Sequence, residues 1–93
     1  MSQIISSLFE TIESRKGDTN PKSYTASLFK AGENEVLKKI GEEAIEIVIA
    51  AKGEGNDRIV YEMSDLLYHC LVLLSMRELN WSDIEDELAS RFK

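Results

Sequence analysis

An all-α fold is predicted by three features of this chain. Apolar residues recur at three- and four-residue spacing, no segment alternates as a strand does, and the 93 residues hold only one proline and five glycines. No internal repeat or low-complexity tract interrupts the pattern, so a single domain over residues 1–93 is expected.

Ile4, Ile5, Leu8, Phe9 and Ile12 line one side of a first amphipathic helix. Ser2 or Gln3 opens it, and it ends near Arg15 with Gly17 just beyond. Asp18, Asn20 and Pro21 mark residues 17–22 as a loop. Ser23 is placed to cap a short helix over residues 24–30 that Gly32 terminates. The third helix is expected over residues 34–52, stopping at Gly53. Its first half is amphipathic, with Val36, Leu37, Ile40 and Ala44 on one side. From Ala44 to Ala51 it is apolar almost all round, the pattern of a helix buried on several sides. Asp57 is a good N-cap for a fourth helix over residues 58–79. Ile59, Val60, Met63, Leu66, Leu67, Cys70, Leu71 and Leu74 form its core face. Asn80 ends that helix, and Ser82-x-x-Glu85 reads as a capping box opening a last helix through Phe92.

Composition narrows the function classes. Hydrophobic residues are 43% and charged residues 30%, an ordinary globular balance. A net charge of −6 argues against nucleic-acid binding, which needs a basic face, and requires that a polyphosphate ligand arrive with cations. The single cysteine, Cys70, lies in an apolar helical run and reads as a buried structural thiol. The start of the chain lacks the pattern of a signal peptide, and no segment approaches the ~18 apolar residues of a membrane span. A cytoplasmic protein without a membrane partner is expected.

Two acidic clusters carry the chemistry: Glu42-Glu43-x-x-Glu46 and Glu62-x-x-Asp65. Residues three or four apart share a helix face, so each cluster aims its carboxylates one way. At about 100° per residue, Glu35, Lys39, Glu42 and Glu46 form a stripe opposite the apolar side, with Glu43 at its edge. The short connection after Lys52 makes the third and fourth helices antiparallel neighbours. Counted outward from the turn, Glu46 and Glu62 lie at similar depth, roughly 8 Å from it at about 1.5 Å per residue. Carboxylates in this number suit a hard divalent cation, Mg2+ or alternatively Mn2+.

The run Lys39-x-x-Glu42-Glu43-x-x-Glu46 followed by Glu62-x-x-Asp65 resembles the signature of the MazG-like all-α nucleotide pyrophosphohydrolases. Ser23-Tyr24-Thr25-Ala26-Ser27-Leu28-Phe29, Lys39-Ile40-Gly41-Glu42-Glu43-Ala44 and Asp65-Leu66-Leu67-Tyr68-His69 are similar to the phosphoribosyl-ATP pyrophosphohydrolase family of histidine biosynthesis. The resemblance covers residues 4–92. It implies hydrolysis of the α–β phosphoanhydride of phosphoribosyl-ATP to phosphoribosyl-AMP and pyrophosphate, by a form without a fused zinc-dependent cyclohydrolase. It also implies Glu43, Glu46, Glu62 and Asp65 as metal ligands.

Glu42, on the same stripe, either positions the attacking water as general base, binds a second ion, or stays outside the ligand shell. Lys39 is placed to pair with phosphate or with a carboxylate. Lys52, Lys30 and Arg58 are weaker candidates for substrate binding. Ser23 and Thr25 either hydrogen-bond the ligand or cap the short helix. His69, one turn after Asp65, either contacts substrate, supports a ligand, or is structural.

Three other readings compete. A di-iron bundle wants paired Glu-x-x-His elements, and His69 is the sole histidine, four residues after Asp65. A non-enzymatic module would use the acidic groove to bind a basic partner. A house-cleaning pyrophosphatase would act on (deoxy)nucleoside triphosphates. Five helices in so short a chain give thin cores, and the apolar run from Ala44 to Ala51 exceeds what one or two neighbours cover. A homodimer completing the bundle is therefore expected.

Overall fold

Residues 3–92 are described by a computed structural model, and the expected opening residue Ser2 lies outside them. Five α-helices follow in order: α1 (Gln3–Ser14), α2 (Tyr24–Ala31), α3 (Glu33–Ile49), α4 (Asn56–Met76) and α5 (Trp81–Arg91), with a π-helical turn over Ala50–Glu54. The described residues contain no strand, as the periodicity requires. Helices α3 and α4 form the main pair; α1 packs on α4, α2 on α3, and α5 touches α1.

The core is built where the amphipathic faces meet. Phe9 and Ile12 of α1, Leu28 of α2, Val36 of α3, and Leu71 and Val72 of α4 form one buried cluster, flanked by Ile40, Leu67 and Trp81. Two polar contacts fasten its ends. The buried Ser75 hydroxyl on α4 donates to the Glu13 carboxylate on α1. Arg77 grips Glu33 through two parallel hydrogen bonds of 2.6 and 2.7 Å, tying the start of α3 to the end of α4.

Four local details differ from the sequence expectation. The α-helical part of α3 ends at Ile49, and the chain widens into the π turn, where the Gly55 N–H donates to the Ala50 carbonyl five residues back. Gly55, at φ 95°, then turns the chain into α4, so α4 starts at Asn56 and Asp57 sits in its first turn rather than capping it. At the other end α4 stops at Met76, where Arg77 and Leu79 donate back to carbonyls of its last turn and Glu78 takes a φ of 57°. Chain freed there lets α5 begin at Trp81, with Asn80 and Asp83 forming the capping box in place of Ser82 and Glu85.

The apolar run from Ala44 to Ala51 is not enclosed within one chain. Only Ala50 is fully buried; Ile45 is 62% exposed, and Val48 and Ile49 are also open. On the adjoining part of α4, Val60 is 66% exposed and Tyr61 and Met63 stand open beside it. The core therefore occupies the half of the α3–α4 pair far from the connecting turn, and the half near the turn presents an apolar surface. By length and a mean hydropathy of 1.3 over an 18-residue window, α4 is apolar enough to cross a membrane, contrary to the sequence expectation. Part of its apolar content packs against α1 and α3, and part lies on the open surface just described.

Candidate active site between α3 and α4

The α3–α4 pair carries all the predicted carboxylates, and one contact fixes its register. His69 on α4 is 4% exposed, and its Nδ1 lies 2.7 Å from Glu43 Oε1 on α3 and 3.0 Å from the Asp65 backbone carbonyl. Both neighbours are acceptors, so Nδ1 carries the proton and donates. In the neutral imidazole the other nitrogen, Nε2, is the acceptor, and the Tyr24 hydroxyl of α2, 2.9 Å away, donates to it. Burial, with Tyr68 and carboxylate charges adding, pushes the Tyr24 phenol above its usual range, which keeps it a donor. Tyr68 stacks on Tyr24 at 6.1 Å and meets His69 edge-on at 5.0 Å, while its hydroxyl is hydrogen-bonded to the Thr25 hydroxyl.

Three helices thus converge on Glu43 through a continuous chain: Tyr24 of α2, His69 of α4, then the α3 carboxylate. Burial raises the Glu43 pKa, Asp65 adds to that rise, and His69 and Lys39 pull it only part of the way back. Negative charge is therefore held here against a net cost, which a cation would relieve.

The remaining predicted residues take distinct positions. Glu62 is 5% exposed, and its Oε2 receives Arg58 Nη2 at 2.5 Å, one helical turn away. Arg58 is also stacked over the Tyr61 ring at 4.4 Å, so its guanidinium is already engaged. Glu46 and Asp65 are half-buried, and their carboxylates have no hydrogen-bond or ion-pair partner among the described residues. Extending the Glu43–His69 register along both helices puts Glu46 and Asp65 at matching depth, with Glu62 nearer the turn. The depth match expected between Glu46 and Glu62 shifts by about one turn because the π turn and Gly55 lengthen the connection. Among the described residues, no three His, Cys, Asp or Glu side chains converge as a ready-made metal-binding group. Glu43 faces His69 and Glu62 faces Arg58 instead.

Glu42 is exposed beside Glu43, and Lys39 is half-buried one turn before it. Lys52 is exposed on the π turn. Ser23 caps α2, its hydroxyl accepting from the Ala26 N–H at 3.1 Å. Thr25 is joined to Tyr68 instead of capping. Ser23 and Lys30 line a cleft of about 630 Å³ between the loop of residues 17–21 and α2. Sequence reasoning left His69 undecided and did not single out Tyr24 or Tyr68. The available signal was that His69 shares a face with Glu62 and Asp65, and that Tyr24 stands between two polar candidates.

The sequence agrees with known proteins over nearly all of this architecture. Residues 5–92 match the family described as phosphoribosyl-ATP pyrophosphohydrolase. A phosphoribosyl-ATP pyrophosphatase of Bacillus cereus is 51% identical over 84 residues, spanning 90% of this chain and 78% of that protein. One from Haloarcula marismortui is 48% identical over 90 residues, spanning 95% and 92%. The histidine biosynthesis bifunctional protein HisIE of Caldanaerobacter subterraneus is 47% identical over 91 residues, 98% of this chain but 44% of its own length. The carboxylate-bearing α3–α4 pair lies wholly inside the matched segment, and the chain belongs to the phosphoribosyl-ATP pyrophosphohydrolase family.

Proposed function

We infer that this protein hydrolyses the α–β phosphoanhydride of phosphoribosyl-ATP, adding water to give phosphoribosyl-AMP and pyrophosphate in histidine biosynthesis. Agreement with the family over residues 5–92 is the observation that carries the reading. It also favours this substrate over the (deoxy)nucleoside triphosphates of a house-cleaning enzyme.

Mg2+ is the proposed cofactor, with Mn2+ as a substitute, and Glu43, Glu46, Glu62 and Asp65 are its proposed holders. The donor set is all carboxylate, which fits a hard cation, and the raised Glu43 pKa marks charge in need of one. Holding an ion with all four requires Glu62 to exchange Arg58, and Glu43 to share its oxygens with His69. When bound, such an ion neutralises phosphate charge and acidifies bound water.

The chain's own groups do the rest. Glu42, exposed next to Glu43, is placed to accept a proton from attacking water. Lys39 supplies positive charge to a phosphate oxygen, and Arg58, once released by Glu62, is placed to do the same. Lys52, Lys30, Ser23 and Thr25 are proposed contacts along the rest of the substrate.

A homodimer is part of the proposal. Ile45, Val48 and Ile49 together with Val60 and Met63 form an apolar surface on two adjacent helices, beside the carboxylates. A second copy covering it removes water from the site's mouth. The protein is proposed to work in the cytoplasm without nucleic-acid or membrane partners. Competing phosphoribosyl-ATP against ATP and dUTP in one reaction tests the function. Preferential consumption of phosphoribosyl-ATP is expected, and preference for either simple triphosphate refutes the assignment.

A further inference from the structure

A polar concavity lies away from the carboxylates of α3 and α4. A cleft of about 310 Å³ lies between the end of α1, the following loop and the start of α2, lined in part by Arg15, Asn20, Lys22 and Thr25. In a chain of net charge −6, two cations facing one concavity are notable.

Their donors are available. Asn20 Oδ1 accepts the Lys22 backbone N–H at 3.0 Å, which fixes the amide orientation and leaves its NH2 without a partner among the described residues. Lys22 has no carboxylate within ion-pair distance among the described residues. Asp18 is the acidic competitor. Its Oδ2 lies 3.6 Å from Arg15 Nη1, a long contact, and its Oδ1 is occupied by the Asn20 N–H at 2.9 Å. Most of the Arg15 fork is thus free for a second anion.

The cleft is also connected to the proposed chemistry. Tyr24 and Thr25 line it, and their hydroxyls reach His69 and Tyr68 on α4. His69 in turn touches Glu43. The cleft and the carboxylates are therefore two ends of one hydrogen-bonded chain, with a single aromatic layer between them.

We propose that Arg15, Lys22 and the Asn20 amide form a subsite for a phosphate monoester on the substrate, separate from the anhydride being cleaved. This rests on the phosphoribosyl-ATP reading, because that substrate carries the 5-phosphate of its phosphoribosyl group as well as its triphosphate. ATP and dUTP carry no phosphate apart from the triphosphate itself, so they have no monoester to place there. The subsite therefore selects the substrate by length and charge, whereas the carboxylate groove reads only the anhydride.

The test is steady-state kinetics on phosphoribosyl-ATP for wild type, Arg15→Gln, Lys22→Gln and Arg15→Lys, with ribose 5-phosphate, ribose and inorganic phosphate as competitors. Either glutamine substitution is expected to raise KM by roughly tenfold to a hundredfold, acting chiefly on KM, and Arg15→Lys to recover part of the loss. Ribose 5-phosphate should inhibit wild type, the Arg15→Gln/Lys22→Gln double variant should be insensitive to it, and ribose should inhibit neither. A KM within about twofold of wild type in both glutamine variants overturns the subsite. So does inhibition by ribose 5-phosphate that survives the double substitution. Absence of phosphoribosyl-ATP turnover by wild type overturns the functional reading and the subsite with it. Turnover with unmoved KM overturns the subsite alone.

Discussion

Tyr24→Phe and His69→Leu, separately and together, measure whether the chain from Tyr24 through His69 to Glu43 acts as a unit. Tyr24→Phe removes one hydroxyl and leaves His69 Nε2, on a 4% exposed residue, without its donor. The imidazole cannot compensate by switching tautomer, because Nδ1 would then turn a lone pair toward Glu43 Oε1, 2.7 Å away. An unpaired buried acceptor costs about 1–3 kcal/mol. The Tyr24 ring is half-exposed, which gives water a route to Nε2, so the cost should fall near 1 kcal/mol, or roughly 4–8 °C in Tm for a domain of this size. His69→Leu is the more damaging change, since it strands the largely buried Glu43 carboxylate. In the double variant the Tyr24 hydroxyl has nothing left to serve. Its loss should then add little to His69→Leu, giving a coupling of about 0.5 kcal/mol or more between the two sites. Urea unfolding at one protein concentration supplies all four corners of the cycle. Additive costs, or a Tyr24→Phe protein melting within about 1 °C of wild type, refute the network.

Other predictions follow from the same geometry. Glu46→Gln and Asp65→Asn should abolish pyrophosphate release while leaving far-UV circular dichroism unchanged; full activity in either variant contradicts the ligand assignment. Val48→Glu or Val60→Glu should convert the proposed dimer to monomer in sedimentation equilibrium, and a wild type already monomeric at micromolar concentration contradicts the dimer. The hydrogen bonds from Arg77 hold Glu33 below the usual carboxylate range. A depressed pKa contributes stability above the unfolded value and loses it as pH falls through the folded one, so the urea-midpoint gap between wild type and Glu33→Gln should shrink from about pH 7 to about pH 3. A gap that widens on acidification has the wrong sign. Burial, and then the Glu43 charge, push the Cys70 thiol above its usual range. Iodoacetamide should therefore modify Cys70 in the folded protein far more slowly than in urea, and equal rates contradict its placement.

Helical periodicity carried the five helices and much of the shared core, although part of the apolar surface of α3, α4 and α5 stays open. Phe9, Ile12, Val36 and Leu71 were legible as inward-facing from spacing alone and lie in the core, which Leu28 and Val72 complete. Val60 and Met63, expected on the same face of α4, stand open. The apolar stretch from Ile45 to Ala51 carries no such phase. Its conversion to a π turn at Ala50 was therefore invisible, and so was the side of it left open. The opening of α5 offered two overlapping capping patterns. Where α4 stopped decided between them, through the Glu78 backbone and the Leu79 N–H bonded at 2.9 Å to the Leu74 carbonyl.

In the candidate site, the helix that carries each acidic cluster was legible from spacing, but the depth match between Glu46 and Glu62 was not met. The partners of the carboxylates were not legible. That Glu43 meets His69, while Arg58 is taken up by Glu62 and Tyr61, depends on the rotation and register of α3 against α4. Tyr24 belongs to the site only because α2 folds back onto α3, a tertiary fact that local spacing does not encode.

Pyrophosphate release from phosphoribosyl-ATP, measured for wild type and Glu46→Gln with and without Mg2+, tests the central claim most directly. Rapid release by wild type that requires Mg2+ and is lost in Glu46→Gln is the predicted result. Release that persists after chelation of the metal, or no release from wild type with Mg2+ present, contradicts it.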